Sequence, residues 1–352
     1  SMALRMYPEG YTVVNVVDLE SYVKGVIPSE VPSSYGMEAL KAQAVCARSY
    51  AYIQMMHNKY EAYGAHVDDS VNFQVYNKQN QTPETVAAVD ETKGQVLSYK
   101  GDIIETYYYS TSYGHTGDYE AWNLDKDAYG YLQGVWVRSE ENPIDLSDEK
   151  SFLDYISNVD SACYESDLKY FRWNTVLDFQ GKDETLLHTI ADRKEHQPEA
   201  ISYYKDASKT ETTDSCSNFG SLQAIKVVKR NQSGVILELE LDFQNGAVSV
   251  QSEYNMRAIL GCGITNINLL DGSSVEMSIL PSAYISIQAK GDGTYAVLGG
   301  GYGHGIGMSQ NGAQKLCGQG FDYKRILNYF YQDTELTELY QPQNMTKEEG
   351  GA

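Results

Sequence analysis

The pattern of hydrophobic and polar positions predicts one long helix early in the chain, from about residue 37 to about residue 58. This segment is rich in Ala, Leu, Met and Gln and contains neither Gly nor Pro, which favours a helix. Apolar residues recur at alternating spacings of four and three, so they form one buried stripe. Its small side chains predict very close packing, and its members are Leu40, Ala44, Ala47, Ala51 and Met55.

Runs of β-branched and aromatic residues predict strands before and after this helix. A first strand covers 11–17, and two more, at 96–99 and 103–109, surround a turn. A short helix is predicted near 148–158. From residue 221 strand patterns return, and two helices follow them. The later predicted elements are strands at 222–228, 235–243, 275–279, 284–289 and 295–298, and helices at 309–316 and 323–331.

Two prolines surround the segment that precedes the long helix. The residue before a proline is restricted to extended backbone, so Ile27 and Val31 are predicted to be non-helical. Glu30 is therefore predicted to lie in a stiff loop between Pro28 and Pro32.

These elements predict an α+β fold of mixed strands with one long packed helix, in two lobes around a cleft. A chain of 352 residues fits one large domain or two ordinary ones, and we expect a single domain over 1–352. The stretch 140–220 is predicted to be a surface insertion, because 140–215 carries 18 acidic against 8 basic residues. Residues 341–352 are predicted to form a flexible tail.

Composition then narrows the function classes. The 27 basic and 48 acidic residues give a net charge of -21, which argues against binding nucleic acid or anionic lipid. The 30 tyrosines favour wet grooves and sugar-like ligands, since tyrosine combines an apolar face with a polar tip. Residues 1–60 carry five bases and five acids, so a ligand with carboxylates could still bind there.

The ends of the chain and the cysteines add two expectations. No stretch reaches the roughly 18 apolar residues that span a membrane, and no secretory leader is visible. The start, Ser1-Met2-Ala3, resembles the remnant of a cleaved tag, so we expect an anchor or signal to be missing from this sequence. Five scattered cysteines without a CxxC argue against a zinc ribbon. Their odd number leaves at least one thiol unpaired, and the sequence allows one or two disulfides among the others.

Three segments carry candidate chemistry, and the first centres on Glu30. Lys41 and Arg48 lie seven residues apart on the predicted helix, so they share a face about 10 Å apart. A carboxylate on a rigid loop beside two cations is a plausible acid/base site. The simpler alternative is a carboxylate that caps the helix or pairs with Lys41.

The second segment is rich in glycine, with six glycines in 299–307 around His304. It contains no GxGxxG or GxxxxGK[ST], so nucleotide binding is not indicated. Ser309 is placed to cap the following helix. We favour a loop that lines a ligand site over a tight connection in which His304 is structural.

The third segment, 107–116, combines tyrosines, hydroxyls and an imidazole at a strand end, followed by Trp122. This is what a polar groove with stacking faces requires, and a surface strand end is the alternative. No HxxxH or HExxH is present, so a metal site or a Cys–His nucleophile is only weakly indicated. The candidate binding residues of the last two segments are Tyr109, Ser110, Ser112, His115, Thr116, Tyr302, His304, Ser309 and Gln310.

Taken in this order, the segments resemble the signature of the SpoIID/LytB family, the stage II sporulation protein D family of cell-wall proteins. The first and last matches are long and specific, and the resemblance covers residues 11–339 apart from the acidic stretch. The matching segments are 26–51 with its Pro-Ser-Glu-Val-Pro, 92–99, 110–116 with Trp122, and 303–313.

The resemblance implies a lytic transglycosylase, which cuts peptidoglycan between MurNAc and GlcNAc and leaves a 1,6-anhydro end. The family's catalytic acid falls on Glu30, and its helical Lys and Arg fall on Lys41 and Arg48, which would bind the substrate. The resemblance further implies an extracytoplasmic protein with peptidoglycan strands as ligand and a cell-wall amidase as a further partner. The three segments should line one cleft.

Some members of the family are described as amidase enhancers, which bind the wall without cutting it, and a plain wall-binding module is a third alternative. An enhancer does not need an acid at this position, so Glu30 favours the enzyme. The sequence departs from the family where Ser-Gly-Gly reads Ser112-Tyr113-Gly114. Tyr109 and Ser112 also stand where some relatives carry zinc ligands, and we predict no metal and no cofactor.

Overall fold

The computed structural model describes residues 2–8, 10–69, 73–76, 80–140 and 144–340. The tail predicted at 341–352 lies outside the described residues. In the described ranges the helices are α1 (Leu19–Glu30), α2 (Met37–His57), α3 (Pro83–Glu91), α4 (Lys126–Tyr129), α5 (Glu149–Ile156), α6 (Asp183–His196), α7 (Glu253–Gly261), α8 (Gln310–Gly318) and α9 (Tyr323–Phe330).

The strands are short, and most pair in antiparallel fashion. With the helices they confirm the α+β class. The strands are β1 (Met2–Tyr7), β2 (Gly10–Asn15), β3 (Gln95–Tyr99), β4 (Asp102–Ile103), β5 (Tyr108–Tyr109), β6 (Trp173–Asp178), β7 (Ile201–Tyr204), β8 (Leu222–Arg230), β9 (Ile236–Phe243), β10 (Gly246–Val250), β11 (Ile267–Leu269), β12 (Ser274–Val275), β13 (Ile285–Ala289), β14 (Thr294–Gly299), β15 (Met308–Ser309) and β16 (Glu335–Glu338).

The chain divides into two compact units. Unit 1 comprises 1–106, 321–326 and 333–352, and unit 2 comprises 107–320 and 327–332. The expectation of a single domain over 1–352 stays a prediction.

Unit 1 is built on α2, which packs against α1 and α3. The predicted helix is confirmed, and Leu40, Ala44, Ala47 and Ala51 of its stripe are buried, whereas Met55 is partly exposed. Burial extends almost all round α2 between residues 39 and 49. Alanines make this possible, because they let neighbouring helices approach closely. A sheet in the order β16-β3-β4 and the hairpin β1-β2 complete the unit. The apolar core contains Val23, Val26, Ile27, Val31, Leu40, Ala44, Ala47, Ala88 and Val89.

Unit 2 contains two larger antiparallel sheets, in the orders β7-β10-β9-β8 and β12-β11-β6-β14-β13. Helices α6 and α7 contribute to the same apolar core as these sheets. A separate parallel pair joins β5 to β15, with Met308 opposite Tyr108 and Ser309 opposite Tyr109. This pair brings two of the predicted segments together.

Glu30 does not lie in a loop between two prolines, because α1 continues through Pro28 and ends at Glu30. A proline inside a helix costs roughly 3 kcal/mol or more. The fully buried side chains of Val23, Val26 and Ile27 offset this cost by packing into the core of unit 1. Val31, the residue after Glu30, has an extended backbone, as predicted, whereas Ile27 is helical.

The acidic stretch 140–220 contributes buried structure as well as surface. It supplies β6 in the middle of the five-stranded sheet, and Leu177, Leu186 and Ile190 are fully buried. The excess of acids across 140–215 drew the prediction toward a surface segment and away from these buried positions. The predicted helix near 148–158 is α5.

Other boundaries differ from the prediction. The strand expected at 103–109 is interrupted, so that only β4 and β5 form, and the strand expected at 275–279 is reduced to β12. In the described ranges, no helix combines the length and the apolar character needed to cross a bilayer. All five cysteines are free thiols.

Candidate functional site

Glu30 stands at the C-terminal end of α1 with a partly exposed side chain. Its Oε1 accepts a hydrogen bond of 2.8 Å from the backbone N–H of Val75. This hydrogen bond joins the end of α1 to the segment at Val75.

An aromatic pair lies beside this carboxyl. Tyr22, about two helical turns before Glu30 on α1, stacks on Tyr76 with ring centroids 5.4 Å apart and an interplanar angle of 5°. Burial raises the pKa of Tyr22, and Tyr50 and Glu30 add to the rise. Its hydroxyl is buried and has no hydrogen-bond partner among the described residues. Both rings are partly exposed and pack against the apolar core of unit 1.

Arg48 is fully buried and is engaged by the fold. Its Nε and Nη2 donate to the carboxylate of Glu20 on α1 at 3.0 and 2.8 Å, and further N–H groups donate to the carbonyls of Val89 and Gln95. Glu20 is ten residues before Glu30, about 15 Å along the helix axis. Direct binding of a substrate by Arg48 does not fit this burial, which instead assigns Arg48 to the joining of α1, α2, α3 and β3.

Lys41 also contacts carboxylates of the protein. Its Nζ lies 2.9 Å from Glu38 and 2.8 Å from Glu91, and hydrogen bonds to Glu91 and Glu38 raise its pKa. The predicted common face of Lys41 and Arg48 is confirmed, because both reach α3.

In unit 2, the strand end and the glycine-rich loop are in direct contact. Thr111 and Tyr302 exchange two backbone hydrogen bonds, of 3.1 and 2.8 Å. Gly301 and Gly305 have left-handed backbone angles, with φ of 81° and 82°. A Cβ on Gly305 would lie only 2.2 Å from the ring of Tyr284. The glycines therefore allow the loop to pass close to its neighbours. This geometry matches the alternative interpretation, in which the segment is a tight connection.

The two histidines of these segments serve the fold. His304 donates from Nε2 to the carbonyl of Tyr108 at 2.9 Å and accepts at Nδ1 from the N–H of Ile306 at 3.1 Å. His115 donates from Nδ1 to the carbonyl of Thr116 at 2.6 Å. Burial lowers the pKa of each imidazole to about 4. Both rings are therefore neutral near pH 7, and both nitrogens of His304 are occupied.

A residue that the sequence did not indicate, Glu165, connects the two segments. Its buried carboxylate accepts hydrogen bonds from the N–H of Ser112 at 3.1 Å, from the hydroxyl of Ser112, and from the hydroxyl of Ser309 at 2.8 Å. Burial raises its pKa to about 7, against the effect of these hydrogen bonds. Burial raises the pKa of the Tyr109 hydroxyl, and the nearby carboxylate of Glu165 raises it further.

Nothing in the sequence distinguished Glu165 from the many surface acids around it.

The predicted capping role of Ser309 is confirmed, since its side chain also accepts from the N–H of Gly312 at 3.1 Å.

Three of the candidate binding residues in unit 2 remain partly exposed: Ser110, Tyr302 and His304. Tyr302 stacks on Tyr170 with ring centroids 4.4 Å apart, which forms a second aromatic surface. In the part of the chain that the structure describes, no group of three or more His, Cys, Asp or Glu could hold a metal ion. The buried candidates are Tyr109, Ser112, His115, Thr116, Ser309 and Gln310.

Two family models match the chain. The model described as Stage II sporulation protein (SpoIID) matches residues 7–99, which include Glu30 and α2. The model described as Domain of unknown function (DUF8618) matches residues 115–307, more than half of the chain, including much of the glycine-rich loop.

Curated relatives cover nearly the whole chain. The amidase enhancer of Bacillus subtilis (strain 168) is 29% identical over 329 residues, which are 90% of this chain but 40% of that protein. The chain thus spans less than half of that relative. Stage II sporulation protein D of the same organism is 25% identical over 354 residues, covering 96% of this chain and 79% of that protein. An uncharacterized protein of Brachyspira hyodysenteriae is 27% identical over 94% of this chain and 70% of its own length.

Proposed function

The chain belongs to the SpoIID/LytB family, and its residues 115–307 to the domain family DUF8618, and we propose that it is a lytic transglycosylase of peptidoglycan. It acts outside the cytoplasm, in sporulation or in remodelling of the cell wall. Its substrate is the glycan strand, cut between MurNAc and GlcNAc.

In the proposed reaction, Glu30 starts as the protonated acid. It donates its proton to the glycosidic oxygen, and the bond from that oxygen to C1 of MurNAc breaks. The leaving GlcNAc keeps the oxygen as a hydroxyl. The Glu30 carboxylate then takes the proton of the C6 hydroxyl of the same MurNAc, whose oxygen bonds to C1. The product is 1,6-anhydro-MurNAc, Glu30 regains its proton, and no water is consumed.

One observation supports this role above the others: Glu30 is a partly exposed carboxyl held by a backbone N–H at the end of a packed helix. A single carboxyl is sufficient for the reaction, whereas ordinary glycosidases need two. In this proposal, the partly exposed edges of the stacked Tyr22 and Tyr76 rings contact a sugar of the glycan.

The remaining residues fall into two groups in this proposal. Lys41, Ser110 and Tyr302 contact the glycan or its peptide through their exposed parts, and so does the exposed edge of His304. Arg48 acts at a distance, because its bonds to Glu20 fix α1 and hence the position of Glu30.

A second candidate function is that of a non-enzymatic amidase enhancer. It is favoured by the relative of that name, which matches 90% of this chain at 29% identity. In that case the protein binds the wall and stimulates an N-acetylmuramoyl-L-alanine amidase, and Glu30 has no chemical role.

Glycan strands stripped of their peptides separate the two functions. A transglycosylase releases fragments with anhydro ends, which mass spectrometry identifies. An enhancer releases none, but it accelerates an added amidase on intact peptidoglycan. Fragments with ordinary reducing ends would indicate hydrolysis and would contradict the proposed reaction.

A further inference from the structure

Unit 2 contains a cavity of about 590 Å³ beside α6, formed together with β7 and the segment 214–217. Its floor is apolar, with Leu187, Tyr203 and Cys216 buried beneath it. This volume lies within the range of small-ligand sites. None of its lining residues belongs to unit 1, and none was indicated by the sequence motifs.

The rim of this cavity carries an excess of negative charge. Glu184, Glu195 and Asp214 line it with exposed side chains. None of the three forms an ion pair within the described residues. Opposed to them is one cation, Lys194, so these four charged groups of the lining sum to -2.

Among the described residues, Lys194 forms no ion pair with the acids of the rim. Its Nζ donates to the carbonyl of Ile201 at 2.6 Å and to that of Pro198 at 3.1 Å, and it stands 5.2 Å from the centroid of the Tyr203 ring. These contacts satisfy the ammonium group within the fold. The carboxylates of the rim are thus left available to a cation from outside.

We propose that this cavity binds a primary ammonium group carried on a short aliphatic chain, such as the side chain of a lysine-type residue in a peptide. The aliphatic part packs on Leu187, Ala191 and Tyr203, while the ammonium group meets Glu195 and Asp214 at the rim. An apolar floor with an anionic edge complements such a ligand and repels a carboxylate of similar size.

Isothermal titration calorimetry on the full chain tests this site with two matched probes. Nα-Acetyl-lysine methylamide carries the ammonium group, and Nα-acetyl-norleucine methylamide has the same backbone and an aliphatic side chain without it. The lysine probe should show saturable binding, with the norleucine probe roughly tenfold weaker, because about two exposed ion pairs are lost. Equal binding of the two probes, or no saturable binding of the lysine probe, would overturn the proposal.

A double variant and a control variant test whether the lysine probe binds in this cavity. The double variant Glu195→Gln/Asp214→Asn should weaken the lysine probe about tenfold. The control is Asp192→Asn on the same helix, whose carboxylate lies near His196 and does not line the cavity. If the control weakens binding of the lysine probe equally, the effect comes from the overall charge of the protein, and the proposed site is contradicted. Cadaverine, tested in parallel, decides whether a free diamine or a peptide side chain is preferred, and tighter binding of either supports an ammonium site.

Discussion

Glu30 in unit 1 and Glu165 in unit 2 are two carboxyl groups of one chain, but their surroundings differ. Glu30 is partly exposed, and the backbone N–H of Val75 donates a hydrogen bond to its carboxylate. Glu165 is fully buried and receives three hydrogen bonds, from Ser112 and Ser309. The first can meet a ligand, whereas the second can only hold protein segments together. Exposure, and not the density of polar residues, separates a candidate for chemistry from a structural group.

The same contrast applies to the cations and the imidazoles. Arg48 and His304 occupy positions in segments that resemble the family signature, and yet their polar atoms bind other parts of the protein. The predictions below test which polar groups support the fold and which are left for a ligand, from the largest expected effect on stability to the smallest.

Removal of the Arg48 guanidinium should have the largest effect. Arg48→Met removes the cation that pairs with the largely buried Glu20 carboxylate and the donor to the carbonyls of Val89 and Gln95. We therefore expect a loss of about 4 kcal/mol in the free energy of unfolding. Lys41→Met is the matched control and should cost less than about 1 kcal/mol, since Glu91 is half exposed. Urea denaturation measures both, and equal losses would contradict the structural role of Arg48.

Glu165 should make stability depend on pH. Its pKa in the folded protein is about 7, against an ordinary value of 4.5, so the folded state binds the proton more tightly than the unfolded state. The contribution of Glu165 to the free energy of unfolding is fully present below pH 4.5 and is lost as the pH rises through 7. The loss is about 3 kcal/mol.

Glu165→Gln removes this titration. The variant should therefore lack the fall in stability between pH 4.5 and 7 that the parent protein shows. Thermal unfolding at a series of pH values measures the difference, and parallel curves for the two proteins would refute it.

Ser309→Ala should have a moderate effect. It removes the cap of α8, worth about 1 kcal/mol, and one of the donors to Glu165, worth a similar amount. We expect a loss of about 2 kcal/mol by chemical denaturation. Ser147→Ala is the control, because Ser147 is partly exposed and its hydroxyl donates to the local Asp145. It should be close to neutral, and a Ser309 variant as stable as this control would exclude the capping role.

Glu30→Gln should have the smallest effect on stability. The amide oxygen can still accept from the N–H of Val75, and the side chain is partly exposed, so we expect a change of less than about 0.5 kcal/mol. A large loss in thermal unfolding would assign Glu30 to the fold instead of the site.

Much of unit 1 could be predicted from the sequence, because a local pattern determines it. The run of Ala, Leu and Gln without Gly or Pro defined α2 to within a residue, and a seven-residue spacing placed Lys41 and Arg48 on one face. The rule on residues before proline failed at Ile27, because burial in the core outweighs a local preference.

Unit 2 was less predictable, because its key contacts join distant parts of the chain. Ser112 and Ser309 meet at Glu165, and no local spacing marks that carboxylate among its acidic neighbours. The glycines around His304 were visible, but their purpose depends on residues such as Tyr284, whose ring lies against Gly305. The expectation that segments of both units line one cleft stays a prediction.

The central claim, that Glu30 is the acid and base of glycan cleavage, is tested most directly by comparing Glu30→Gln with Glu165→Gln on glycan strands free of peptide. The measured quantity is the rate at which fragments with 1,6-anhydro ends appear, with folding of both variants verified by circular dichroism. The account predicts that Glu30→Gln abolishes their release while Glu165→Gln retains it. Undiminished release of anhydro ends by a folded Glu30→Gln protein would contradict the account.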